Sequence, residues 1–184
     1  MRKGDYITTI SGRKFWPLDP HPEDVDIHDI AWALSRICRF GGHTNSHYSV
    51  ATHCTAVSLL VPEEDALWGL LHDASEAYVG DMVRPLKDGM TAYKQAEDRV
   101  SLVIANAFGL PLEMPESVHL ADKRIVQAEK FLFTNQTVCE DLSTMDEDIA
   151  AINKALETEN GPVDVYLKYL SRFQELHQYS IATT

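Results

Sequence analysis

From Ile30 to Leu176 the apolar residues of this chain return at intervals of three and four, one segment after another, and that spacing is the signature of packed helices. Ile30, Leu34, Ile37 and Cys38 form a first stripe, which Gly41-Gly42 stops. Val50, Cys54, Val57 and Val61 form a second, ended by Pro62, and Leu67, Leu70, Leu71 and Ala74 a third. Tyr93, Ala96, Val100, Val103 and Ala107 mark a fourth helix closed by Gly109 and Pro111; Val118, Ala121, Ile125, Ala128 and Leu132 mark a fifth. Ile149 to Leu156 and Val163 to Leu176 supply two more, with Pro162 suited to the first turn of the last. Only the start departs from this period. There, β-branched and aromatic runs, Tyr6 to Ile10 and Phe15 to Leu18, flank Ser11-Gly12-Arg13-Lys14, and Asp19-Pro20-His21-Pro22 reads as an irregular connector. The expected fold is all-α, a helical bundle with a short N-terminal β-hairpin.

The 184 residues suit a single domain: 1–20 as hairpin and connector, 28–135 as a helical core, 145–184 as C-terminal helices. Apolar residues make up 45% and charged residues 24%, the balance of a globular protein, and no window reaches the roughly 20 apolar residues that span a bilayer. No apolar run follows Met1-Arg2-Lys3-Gly4-Asp5, so a cytoplasmic protein with no membrane partner is expected. Cys38, Cys54 and Cys139 are odd in number and lack C-x-x-C spacing, which points to reduced, buried thiols. A net charge of -12 argues against a nucleic-acid polymer as partner. A small anionic substrate remains compatible if a few cations gather locally, and the candidates are Arg36, Arg39, Arg84, Lys87, Lys123 and Arg124.

Within this helical pattern His72-Asp73 stands out, in Leu70-Leu71-His72-Asp73-Ala74-Ser75-Glu76. Successive residues lie about 100° apart around a helix, so both can reach one ion only at the edge of a helix face. Glu76 follows one turn along. His53 sits on the preceding helix and Asp122 on a later one, so three helices can bring two imidazoles and two carboxylates to one point. Read singly, His72 is a core histidine, Asp73 a surface carboxylate and Asp122 either solvated or a partner for Arg124. Leu70 and Leu71 imply burial, however, and a buried carboxylate needs a partner or a metal. Mixed nitrogen and oxygen ligation suits Zn, Mn, Fe, Co or Ni.

The next segment, Gly80-Asp81-Met82-Val83-Arg84-Pro85-Leu86-Lys87, places a carboxylate and two cations close behind. Asp81 either caps a turn or handles the proton of an attacking water. Arg84 and Lys87 are solvated cations by default and anion holders beside a phosphate site. Arg39 is read at the end of a helix, where the dipole favours it, and Gly41-Gly42 as a C-cap or a close approach of backbone to a ligand. His43 and His47 are weaker ligand candidates, in a loop without a carboxylate neighbour.

With His53, His72-Asp73, Glu76, Gly80-Asp81, Pro85, Lys87, Asp122 and the upstream Arg39, the chain resembles the HD-domain phosphohydrolases over residues 28–135. Within them it looks closest to the phage dATP triphosphohydrolases and the bacterial 5'-deoxynucleotidases. The resemblance implies metal ligation by His53, His72, Asp73 and Asp122, and proton handling by Glu76 and Asp81. It further implies phosphate contacts from Arg39 and Lys87, with Arg84 as a further cation, and a base sandwiched by Phe40 and Pro85. Related enzymes tend to carry Trp after the Arg, where this chain has Phe40-Gly41-Gly42. The implied cofactor is a divalent transition metal (Zn, Co or Mn), with a second divalent ion arriving with the phosphates as the extended case.

The implied reaction is hydrolysis of a deoxynucleotide at the α-phosphorus, dATP to deoxyadenosine plus triphosphate, or alternatively release of phosphate from deoxynucleoside monophosphates. A (p)ppGpp hydrolase and a non-catalytic nucleotide-binding module are further alternatives. A homo-oligomer is also implied, with the last helices as contact surfaces, and a host-cytoplasmic location if the chain is phage-encoded.

Overall fold

A computed structural model describes residues 2–135, 145–158 and 160–183, with side chains to residue 178. Its architecture is all-α with one short hairpin, as the periodicity predicts. Strands β1 (Ile7–Thr8) and β2 (Lys14–Phe15) pair antiparallel, Ile7 opposite Phe15 and Thr8 opposite Lys14. The helices are α1 (Ile27–Leu34), α2 (Val50–Leu60), α3 (Ala66–Leu71), α4 (Glu76–Val79), α5 (Arg84–Lys87), α6 (Thr91–Ala107), α7 (Glu116–Phe133), α8 (Asp146–Leu156) and α9 (Pro162–Thr183). None is long and apolar enough to cross a membrane.

Helix α2 is the axis of the molecule. Val50-Ala51-Thr52-His53-Cys54-Thr55-Ala56-Val57-Ser58 is buried throughout. A helix with no charged face has no side to give to water, so it must be wrapped. One face meets α1, α3 and α9 through Cys54, Leu34, Leu70 and Tyr169. The other meets α7 and α8 through Ala56, Val57, Ile125 and Ile152. Its buried hydroxyls are satisfied within the helix: Thr55 donates to Ala51 O (2.9 Å) and Ser58 to Thr55 O (2.7 Å). Ser49 caps its N-terminus, accepting from Thr52 N at 3.1 Å.

Three local expectations change. Helix α1 ends at Leu34, capped by Ser35, so Ile37 and Cys38 lie beyond it. Cys38 instead forms an isolated antiparallel bridge with Ser49, and Gly41-Gly42 belongs to a separate 3-10 turn, Arg39–Gly42. Arg39 therefore sits in a turn rather than at a helix end. The segment carrying His72-Asp73 is also broken: α3 stops at Leu71, and tight turns over His72–Ser75 lead into α4. Cys54 is buried and Cys38 half-buried, both as free thiols; Cys139 lies outside the described residues.

The hairpin reaches α4. Phe15 stacks on Tyr78 (centroids 3.7 Å apart, 12° between planes), and the buried Asp29 accepts from the Ser11 N–H and hydroxyl at 2.9 and 2.8 Å. Where α3 crosses α2, a Cβ on Gly69 would stand 3.0 Å from Ser58 Cα and 3.2 Å from Val61 Cγ2. Backbone cannot swing aside. Ala improves helix propensity by about 1 kcal/mol, while overpacking costs about 1–3 kcal/mol, and a backbone clash belongs at the upper end. Gly69→Ala is therefore expected to lower the thermal unfolding midpoint; an unchanged midpoint would mean the two helices separate freely.

Candidate metal centre

Three parts of the chain converge where α2, the α3–α4 turn and α7 meet. His53 projects from the middle of α2, His72 and Asp73 from the turn after α3, and Asp122 from α7. His53 Nε2 stands 3.1 Å from His72 Nε2, 3.2 Å from Asp122 Oδ1 and 3.6 Å from Asp73 Oδ2. His72 Nε2 stands 3.3 Å from Asp73 Oδ2 and 3.8 Å from Asp122 Oδ1. Ending α3 at Leu71 matters here, because tight turns bring two neighbouring side chains to one point that a regular helix would hold about 100° apart.

Both imidazoles are buried, His53 fully, whereas the Asp73 and Asp122 side chains are 25% and 30% exposed. The cluster is closed on its imidazole side and open on its carboxylate side. Both rings are held from behind. His72 Nδ1 faces Gly69 O at 2.8 Å, and His53 Nδ1 faces Glu129 Oε1 at 2.5 Å. A carbonyl and a carboxylate only accept, so each Nδ1 carries the proton. In the neutral rings the two Nε2 lone pairs then point at one another across 3.1 Å. Such an arrangement is repulsive unless a cation lies between or one ring takes up a proton. Two ligand atoms about 2.0–2.1 Å from one ion, and roughly at right or tetrahedral angles to it, stand about 2.8–3.4 Å apart. The donor set fits a divalent ion.

A second grouping, Cys54 with His72 and Asp73, also places its donor atoms within 4.8 Å. Burial pushes the Cys54 thiol up, which disfavours the thiolate that ligation needs. The sequence stripe had used Cys54 as a core residue only; the fold puts its sulfur beside His72.

Without an ion, charges compensate one another. Burial opposes ionisation of Asp73 and Asp122, but the adjacent histidines dominate and hold both carboxyls well below the usual range. Burial likewise opposes the imidazolium forms of His53 and His72, yet the carboxylates around them raise both rings overall. Glu76 behaves oppositely. It is 5% exposed, and burial, then the charges of Asp73 and Asp81, push it up to about 10. Its Oε2 has no hydrogen-bond partner. Burial and Asp73 also raise Asp81, against the pull of Arg39.

Arg39 lies at the rim, with Nη2 donating to Glu129 Oε2 at 3.0 Å and Nη1 3.5 Å from Asp73 Oδ2. Its buried Nε lacks a partner. Phe40 adopts φ +56, and the Arg39 guanidinium is 5.7 Å from its ring centroid. A Cβ on Gly41 would lie 3.6 Å from Val83 Cγ1, so this turn borders the start of α5. Lys87, on α5, pairs with Glu97 of α6 at 2.7 Å. Arg84 and Pro85 are exposed on α5, and His43 and His47 are exposed in their loop.

Two of the six candidate cations are committed elsewhere. Arg36 lies over the Trp32 ring at 3.4 Å and donates to Trp32 O. Arg124 reaches α8, where it pairs with Asp148 (2.8 Å) and Glu147 (3.1 Å) and not with Asp122.

Glu129, Tyr48 and Glu97 had no place in the sequence reading. Glu129 follows Asp122 by seven residues, two helical turns, and so shares its face of α7 beside the apolar stripe. A carboxylate at that register was the available signal.

No family model matches the chain. It is 42% identical over 125 residues to the uncharacterized protein YfdR of Escherichia coli strain K12, a match covering 68% of this chain and 70% of that protein. An uncharacterized Rhodobacter capsulatus protein is 37% identical over 124 residues, 62% of this chain and 63% of its own.

Proposed function

From the premise that this chain belongs to the family of the Escherichia coli protein YfdR, we propose metal-dependent hydrolysis of a deoxynucleotide at its α-phosphorus, as in the HD-domain phosphohydrolases it resembles. The observation that carries this reading is the pair of buried imidazoles with Nε2 atoms 3.1 Å apart, flanked by two carboxylates open to solvent. His53, His72, Asp73 and Asp122 would hold a divalent ion, Zn, Co or Mn. When bound, such an ion lowers the pKa of water and polarises a phosphoryl oxygen.

The chain's own residues do the rest. Arg39, with a free Nε, and Lys87 grip phosphate oxygens. Phe40, Val83 and Pro85 border the side where a base would lie. Water adds to the α-phosphorus as the bond to the 5'-oxygen breaks. Asp81 accepts a proton from the water, and the protonated Glu76 gives one to the departing 5'-oxygen. With dATP the products are deoxyadenosine and triphosphate; with a monophosphate they are a deoxynucleoside and phosphate.

The monophosphate reaction is a second reading with its own support. Arg36 and Arg124 are held by Trp32 and by α8, and Arg39 and Lys87 already pair with Glu129 and Glu97, so few of the cations first considered are left for β- and γ-phosphates. Incubation with dAMP, dATP, dGTP and ppGpp under Mn, Co and Zn, with products separated by chromatography, decides the matter. Triphosphate release supports the first reading and phosphate release from dAMP the second. Turnover of ppGpp alone replaces both, and no turnover at all leaves a nucleotide-binding module. The proposed assembly is a homo-oligomer, for which α9 offers the exposed Val163 and Leu167.

A further inference from the structure

Glu129 is fully buried, yet it is one of the most heavily bonded side chains near the cluster. Its Oε1 accepts from His53 Nδ1 at 2.5 Å and from the Tyr48 hydroxyl at 2.9 Å, and its Oε2 accepts from Arg39 Nη2 at 3.0 Å. A carboxylate with no exposure is tolerable only when saturated with donors, and these three come from α2, from the residue before its cap and from the Arg39 turn. A side chain whose task was to neutralise Arg39 would not need His53. Yet the His53 contact is the shortest of the three. The two histidines also differ: His72 is backed by the neutral carbonyl of Gly69, His53 by a full carboxylate.

We propose that Glu129 is a positioning residue of the metal centre: it locks His53 in the Nδ1–H form with Nε2 turned to the ion, and anchors Arg39 with its other oxygen. This rests on His53 being a ligand. Carboxylates behind ligating imidazoles fix ring orientation and raise ligand basicity. By binding His53 and Arg39 with its two oxygens, Glu129 also sets the distance between the ion and the phosphate-gripping arginine.

The test is Co(II) titration of the full chain and of Glu129→Gln, followed by visible absorption and calorimetry, with no substrate present. Glu129→Gln, shown folded by circular dichroism, is expected to bind Co(II) about 10- to 100-fold more weakly. Equal affinity in a folded variant overturns the role of Glu129 while leaving the metal centre standing. A wild-type chain that takes up no Co(II) overturns both. Should Glu129→Gln not fold, long-range proton–nitrogen NMR of the wild-type His53 ring, at a pH where that ring is neutral, decides alone. The Nδ1–H form is expected, and the Nε2–H form overturns the proposal.

Discussion

Asp73→Ala is expected to abolish turnover and metal uptake together while the helices persist. Asp73 Oδ2 stands 3.3 Å from His72 Nε2, 3.6 Å from His53 Nε2 and 3.5 Å from Arg39 Nη1, so one carboxylate faces both imidazoles and the rim cation. Removing it would leave three of the proposed ligands and an Arg39 guanidinium that keeps only its Glu129 partner, an electrostatic environment hostile to a divalent ion. The side chain is 25% exposed and lies in a turn rather than in the core, so its loss opens no cavity and the fold survives. The check combines metal analysis, a circular dichroism spectrum and an assay on the preferred substrate. Wild-type activity in Asp73→Ala would sink the assignment of the site.

Glu76→Gln separates chemistry from ligation. The amide keeps the size of the side chain but cannot donate or take up a proton, so the rate is expected to fall by about 10²–10⁴-fold with metal content unchanged. Loss of the metal instead would make Glu76 a ligand. The same variant carries a stability signature in the metal-free protein. Burial, then Asp73 and Asp81, push Glu76 from its ordinary 4.5 up to about 10. Between those values the unfolded chain has released the proton and the folded chain still holds it. The unfolded state then binds fewer protons, so this group makes the fold less stable as pH rises from 4.5 towards 10. Gln removes that loss. Thermal unfolding at pH 8 should show metal-free Glu76→Gln more stable than wild type, with the difference vanishing near pH 4.

Much of the architecture is legible along the chain because helical burial is periodic. The stripes through Val50 to Val61 and Val118 to Leu132 correspond to α2 and α7, and Pro62, Gly109 and Pro162 punctuate the chain where the backbone requires it. The stripe through Ile37 and Cys38 misled. Apolar spacing records only that a side chain is buried, and Cys38 is half-buried by pairing with Ser49 across an antiparallel bridge, not by a helix. Arg124 misled for a related reason: proximity in sequence to Asp122 suggested a pair, but residues two apart on a helix diverge by about 200°. Arg124 accordingly meets α8 instead.

The local order of residues determined that the chain forms helices, roughly where they start and stop, and that His53, His72, Asp73 and Asp122 have the chemistry to meet at an ion. Periodicity and ligand type are properties of short segments, and they survive without knowledge of the fold. Only the tertiary structure decided that α3 ends at Leu71 and turns His72 and Asp73 to one point. It also decided that Cys54 lies beside His72, that Glu129 stands behind His53, and that Arg36 and Arg124 face away. Those facts depend on which faces of distant segments pack together, and packing is settled by burial across the whole molecule.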